Sequence, residues 1–289
     1  GTTCIRAVRL ATGEEEYVLT CGRDGNYCYH KLHAGEGDAV SLETLDQTSS
    51  SLGQDLWGVY LEEETGDLML YGFRSQNFVL RNETSHQDII SIASGGARRI
   101  WSYQPNTTTS KPLLAWLERS NLNIKRIQPD VNRSIRAGGH GREVRTMDGL
   151  GVVKGRGSFF ATGAEDTIVR IFRASSQASE GPWGSFKCLR ILDKHRSGIQ
   201  QVAWSKDGQY LFTCAGLEEL FVWGLRWLPS FDICVKMVAE CPKTESDSEL
   251  RITSFDLVDV EGHNAEKGFL LCLTLSNSTI RVRMFQSAQ

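Results

Sequence analysis

The chain repeats itself. One plan, an apolar stretch, a polar turn and a second stretch of alternating apolar and polar residues, occurs six times. The copies are "EYVLTCGRDGNYCYHKL" (16–32), "DLMLYGFRSQNFVLRN" (67–82), "PLLAWLERSNLNIKRI" (112–127), "FFATGAEDTIVRIFR" (159–173), "YLFTCAGLEELFVWGL" (210–225) and "FLLCLTLSNSTIRVRMF" (269–285). Their turns recur at roughly 45 to 60 residues, a period at which each copy is one supersecondary unit that buries its apolar surface on its neighbours. Alternation with period two puts successive side chains on opposite faces of a strand, and no stretch carries the 3.6-residue period of an amphipathic helix. The chain is therefore read as all-β.

A further strand-like stretch precedes each copy: "IRAVRL", "LWGVYL", "RRIWSYQ", "EVRTMDG", "IQQVAWS" and "RITSFDL". Most copies are followed by another, as in "DIISIAS", "FKCLRIL" and "DICVKMV". Four strands per unit, rich in β-branched and aromatic residues and divided by Gly, Asp, Asn and Ser turns, make the grammar of a β-propeller. Residues 1–289 are read as a single propeller domain with about six visible blades. The sixth unit has little sequence left for a fourth strand, so that strand and a seventh blade are expected from sequence outside "GTTC…SAQ". The opening lacks both Met and a signal peptide, and the chain reads as a piece of a longer, multi-propeller protein.

The Glu-Asp pair in "ATGAEDTIVRIFR" and the histidine of "GGHGREV" (138–144) raise the possibility of an acid/base pair. Repetition argues otherwise. The segment resembles a WD repeat, whose second and third strands read small-Ser/Thr-Gly-x-x-Asp-x-x-aliphatic-x-aliphatic-Trp-Asp. The resemblance assigns His140 to the Gly-His element, Thr162 to the hydroxyl position and Asp166 to the turn carboxylate, with Phe172 and Arg173 replacing the usual Trp and Asp. It implies a WD40-type propeller in which these groups tie one blade together and are not catalytic. In the fifth unit His195, Thr213 and Trp223 keep their places, while Leu217 takes the turn position with Glu218 beside it. The first unit keeps Asp24; the second, third and sixth show Ser75, Ser120 and Asn277 near that point.

A narrower resemblance rests on "GGHGREVRTM", "HRSGIQQVAWSKDGQYLFTCAGLEELFVWGLRWL" and "LRITSFDLVD" with "LSNSTIRVRMF". Together these are similar to the carboxyl-terminal propeller of the WD-repeat subunit that partners the tRNA anticodon-loop ribose 2′-O-methyltransferase. The resemblance implies a cytoplasmic, non-catalytic scaffold without a cofactor of its own. Its partner subunit would carry S-adenosylmethionine, and the propeller would help present tRNA for wobble-position methylation. Consistent with that role, no Gly-rich strand-to-helix turn followed by an acidic residue occurs; "ASGGARR" and "AGGHGRE" lie between strands.

The net charge of -3 excludes nucleic-acid binding by bulk electrostatics, but one stretch is locally basic. Arg98, Arg99, Lys111, Arg119, Lys125, Arg126, Arg133, Arg136, Arg142 and Arg145 face only Glu118, Asp130 and Glu143 there. These cations are candidate phosphate contacts, or else a solvated blade edge whose Arg stems cover apolar surface. Trp227 and Phe231 in "FVWGLRWLPSF" are candidate protein-contact residues, with core packing as the alternative.

Cys21, Cys28, His30 and His33 fall within one turn-and-strand segment, but C-x6-C-x-H-x2-H is not a usual zinc spacing and no metal is expected. The eight cysteines mostly sit in apolar stretches, as reduced intracellular thiols do. No apolar run approaches the roughly 20 residues that a membrane-spanning helix needs. Two other function classes remain open. One is a general WD-type adaptor in trafficking or ubiquitin ligation without RNA contact. The other is an enzyme using the central channel, for which no paired carboxylates or nucleophile-base arrangement stands out.

Overall fold

The computed structural model describes residues 1–9, 16–34, 40–62, 66–105, 107, 111–127, 139–153, 157–174, 186–228, 232–244, 249–261 and 267–286. These residues form six antiparallel sheets, and in each the strands neighbour one another in chain order. The first holds β1 (Thr2–Arg9), β2 (Glu16–Gly22), β3 (Asn26–Ala34) and β4 (Val40–Ser49). The second holds β5 (Leu56–Leu61), β6 (Leu68–Arg74), β7 (Asn77–Asn82) and β8 (Gln87–Ala93), and the third β9 (Trp101–Gln104), β10 (Leu113–Glu118) and β11 (Asn121–Arg126). The fourth comprises β12 (Val144–Val153), β13 (Gly157–Ala164), β14 (Val169–Ala174) and β15 (Phe186–Leu192). The fifth comprises β16 (Ile199–Trp204), β17 (Tyr210–Ala215), β18 (Leu220–Leu228) and β19 (Asp232–Glu240). The sixth has three strands among the described residues, β20 (Ile252–Glu261), β21 (Lys267–Leu275) and β22 (Ile280–Gln286).

This is the all-β, sheet-by-sheet plan of a WD40-type propeller. Each of the six repeated segments supplies the second and third strands of its sheet. The preceding stretches become β1, β5, β9, β12, β16 and β20. One strand has no counterpart in the sequence reading: β4 is exposed over most of its length, so no apolar alternation marks it.

Two compact units divide the chain, one of residues 1–137 with 229–231 and one of residues 138–228 and 232–289. In the first, an aromatic core joins Tyr60, Tyr71, Phe73 and Phe78 of the second sheet to Tyr103 and Leu114 of the third. Offset and edge-to-face contacts organise it, as between Phe73 and Trp101 with centroids 5.0 Å apart.

In the second unit the fifth sheet is apolar on both faces. Leu211 and Trp223 join Phe159, Ile171 and Leu189 of the fourth sheet. Their neighbours Phe212 and Val222 point the other way, onto Phe255, Phe269 and Leu271 of the sixth. A sheet covered on both sides needs no polar alternation, which is why "YLFTCA" and "LFVWGL" read as near-continuous apolar runs. Each such Phe or Leu contributes about 1.5–3 kcal/mol by leaving water. The fourth and fifth sheets approach closely at Gly163, where a Cβ would stand 2.4 Å from Ile199 Cγ2.

Candidate functional site

Within the fourth sheet His140 lies just before β12 and reaches over to the β13–β14 turn. Its Nδ1 is 3.1 Å from both Asp166 oxygens and its Nε2 is 2.7 Å from Thr162 Oγ1. A carboxylate only accepts, so the ring proton sits on Nδ1 and the bare Nε2 accepts from the threonine hydroxyl. Asp166 also receives the N–H groups of Gly141 (2.8 Å) and Ile168 (3.1 Å). Burial works to raise this carboxyl, but the two N–H donors and the imidazole outweigh it and hold it below the ordinary Asp value. Burial lowers His140 against the pull of Asp166, and the Arg170 guanidinium adds to the lowering.

The fifth sheet builds the same relay with one donor more. Trp223 Nε1 donates to Thr213 Oγ1 (2.9 Å), and the Thr213 hydroxyl donates to His195 Nε2 (2.8 Å). His195 Nδ1 then faces a Glu219 oxygen at 3.3 Å, which also takes the Arg196 N–H at 3.0 Å. The sequence reading put Leu217 at the turn with Glu218 beside it; the carboxylate that meets His195 is Glu219. Leu217 and Glu218 both adopt positive φ, 59° and 52°, so the chain turns before Glu219. That places Glu219 opposite Ala215, where Ile168 stands opposite Ala164 in the fourth sheet. Its longer side chain spans the remaining distance. Burial depresses His195; Glu219, although burial opposes it, is brought low by His195 and the Arg196 N–H. A packing contact completes the comparison: Phe221 lies 4.4 Å from the His195 ring, and the corresponding residue across from Thr162 is Arg170.

Glu218 is turned the opposite way. Its buried carboxylate takes the N–H and hydroxyl of Thr244, both at 2.9 Å, and an ion pair from Arg281 of the sixth sheet. Consecutive glutamates therefore serve two different sheets.

Sheets one, two, three and six hold no such relay among the described residues. Asp24 instead caps its own turn through the Asn26 N–H at 3.2 Å, and Asn277 does the same for Thr279. His30 bonds Thr20 and Thr44, and His33 pairs with Glu43. Cys28 lies across from Thr20, whereas Cys21 lies across from Tyr27 on the opposite face. Among the described residues no three His, Cys, Asp or Glu side chains converge on a common point.

Within the third sheet the described basic residues fall into two sets. Arg98 and Arg99 are exposed beside the β10–β11 turn that carries Arg119; Lys125 and Arg126 are exposed at the other end of β11. At about 3.3 Å per residue, the four positions from Glu118 to Leu114 put roughly 13 Å between the two ends. Arg142 and Arg145 are exposed in the second unit, with Arg145 ion-paired to Glu165. Arg133 and Arg136 lie outside the described residues. Trp227, read as a candidate contact residue, packs against the core of the second unit with its ring 4.7 Å from Phe159. The ring is partly buried there, and its companion in that reading, Phe231, lies outside the described residues.

Both relays use every hydrogen-bonding nitrogen of a buried histidine, so neither ring has a free position for a substrate proton. What they do is hold strands and the entering loop at fixed distance. Residues 186–224, which include the whole fifth-sheet relay, match the family described as WD domain, G-beta repeat. The chain carries a WD repeat. The chain also resembles the "tRNA (34-2'-O)-methyltransferase regulator WDR6" of Homo sapiens, at 28% identity over 152 residues. That stretch is 51% of this chain and 13% of the human protein. The Mus musculus protein of the same name is 24% identical over 226 residues, 68% of this chain and 19% of its own length. A "probable cytosolic iron-sulfur protein assembly protein 1" of Aspergillus terreus is 31% identical over 158 residues, 48% of this chain and 37% of its own. The chain therefore spans a small part of the regulators it resembles.

Proposed function

We propose that this chain is a non-catalytic WD-repeat scaffold within a protein that binds a tRNA 2′-O-ribose methyltransferase and helps present tRNA for wobble-position methylation. The observation that carries the reading is the 28% identity with the human tRNA methyltransferase regulator across half of the chain. The relays support its non-catalytic half: a general acid or base needs a proton within reach of substrate, and here both histidines are committed to Thr and carboxylate partners. S-adenosylmethionine belongs to the methyltransferase subunit in this reading, and the assembly works in the cytoplasm. The exposed cations at either end of the third sheet are its candidate phosphate contacts.

A tagged parent protein purified from cell extract tests the proposal by mass spectrometry. Stoichiometric recovery of a tRNA ribose methyltransferase is expected. A second reading, favoured by the 31% identity with the Aspergillus terreus protein, is a cytosolic iron-sulfur assembly scaffold. Recovery of iron-sulfur assembly proteins, or of coat or ubiquitin-ligase components, with no methyltransferase overturns the first reading.

A further inference from the structure

Cys4 and Cys21 are cross-strand partners in the β1–β2 ladder. Partners in an antiparallel pair point to the same face with Cα atoms roughly 4.5 or 5.5 Å apart, and both distances fall in the range a disulfide spans. Both thiols are free. Around them stand groups suited to an anion on sulfur. The Val59 N–H and the Arg6 side chain both act on Cys4 to favour its anion. Cys4 is half-buried and Cys21 buried, so a small oxidant meets Cys4 first.

From this geometry we propose that Cys4 and Cys21 form a peroxide-sensitive dithiol, a modification site in which Cys4 is oxidised and Cys21 resolves it. The first step forms an S–O bond as the Cys4 thiolate attacks one oxygen of hydrogen peroxide; the O–O bond breaks and hydroxide leaves. Cys21 then attacks the sulfenyl sulfur, the S–S bond forms, the S–O bond breaks, and the departing hydroxide takes the Cys21 proton as water. Two electrons pass from the thiols to the peroxide.

Selectivity follows from surroundings. The neighbouring Cys21 thiol, together with the Val59 N–H and Arg6, lowers Cys4 against its burial and so favours its thiolate. Burial pushes Cys28, Cys188, Cys214 and Cys241 up, which keeps those sulfurs protonated and slow.

The full chain, treated with hydrogen peroxide, quenched with an alkylating agent and digested without reductant, provides the test. A Cys4–Cys21 linked peptide should appear before any other cysteine is consumed, and dithiothreitol should restore both thiols. In Cys21→Ser the Cys4 sulfenate should accumulate as a dimedone adduct. Arg6→Gln keeps both sulfurs and removes the cation that acts on Cys4, and it should slow Cys4 oxidation several-fold while leaving the exposed Cys272 at its own rate. Consumption of Cys272 ahead of Cys4, or loss of Cys4 without the linked peptide in the wild-type chain, overturns the proposal whether or not the variants fold.

Discussion

At the scale of single residues, Asp166 and Glu219 accept the same kind of ring N–H from different places in the chain. Asp166 sits in its turn; Glu219 begins the next strand and reaches back. Removing either acceptor leaves a buried imidazole N–H unpaired, so Asp166→Ala should lower unfolding stability by about 1–3 kcal/mol in urea titrations. If reach is what makes Glu219 work, Glu219→Asp should destabilise nearly as much as Glu219→Ala. A neutral Asp variant would show that the carboxylate's distance is not decisive. The titrations of the four groups share one sign. His140 and His195 fold with lowered values, so between those values and the unfolded value of about 6.5 the unfolded chain holds more protons and stability falls as pH falls. Asp166 and Glu219 are also lowered, and their contribution is lost only further into acid, as pH passes down through their folded values. Urea midpoints should therefore drop on going from pH 7 to pH 5 and again below pH 4. A midpoint independent of pH from 7 to 5 would remove the histidines from this account.

Among the elements, β22 is largely uncovered. Ile280, Val282 and Met284 are exposed on one face, and with Val258 and Leu270 on β20 and β21 they make an apolar sheet surface beside an edge that has no pairing strand among the described residues. Such edges template pairing with other chains. Val282→Lys should reduce self-association in light scattering while leaving the melting temperature within a degree or two; an unchanged association state would place the contact elsewhere. The elements also show what was legible beforehand. Strands with an apolar face were readable because burial imposes period two on the sequence, and even the terminal unit's three strands could be counted. β4 could not be read, since only its hydrogen bonds to β3 make it a strand and its side chains face water. The His140, Thr162 and Asp166 arrangement could be placed through the resemblance of that segment to a WD repeat. Glu219 could not, because its position depends on how tightly the turn at Leu217 and Glu218 closes, and spacing rules fixed on the turn residue pass over it. Trp227 left two readings open for a related reason: an aromatic near a strand end reads the same whether its ring points out or, as here, onto Phe159.

For the molecule as a whole, a net charge of -3 means that any hold on RNA comes from local cations rather than from the summed field. The third sheet offers two separated sets, and they make different predictions in the assembled complex. If Arg98 and Arg99 lie on phosphates, replacing both with Glu should weaken tRNA binding and reduce the salt slope by about 0.9 for each phosphate no longer neutralised. Lys125→Glu with Arg126→Glu reports on the opposite end by the same measure. Unchanged affinity and slope for both pairs would leave these side chains as ordinary solvated cations. The adjacent glutamates of the fifth sheet bear on how the second unit comes apart. Glu219 fastens its own sheet, Glu218 fastens the sixth, and a single peptide bond joins the two fastenings. Opening that turn undoes both at once, so the amides of Glu218, Glu219 and Thr244 should exchange with deuterium in one cooperative event, and the fifth and sixth sheets should behave as a single foldon.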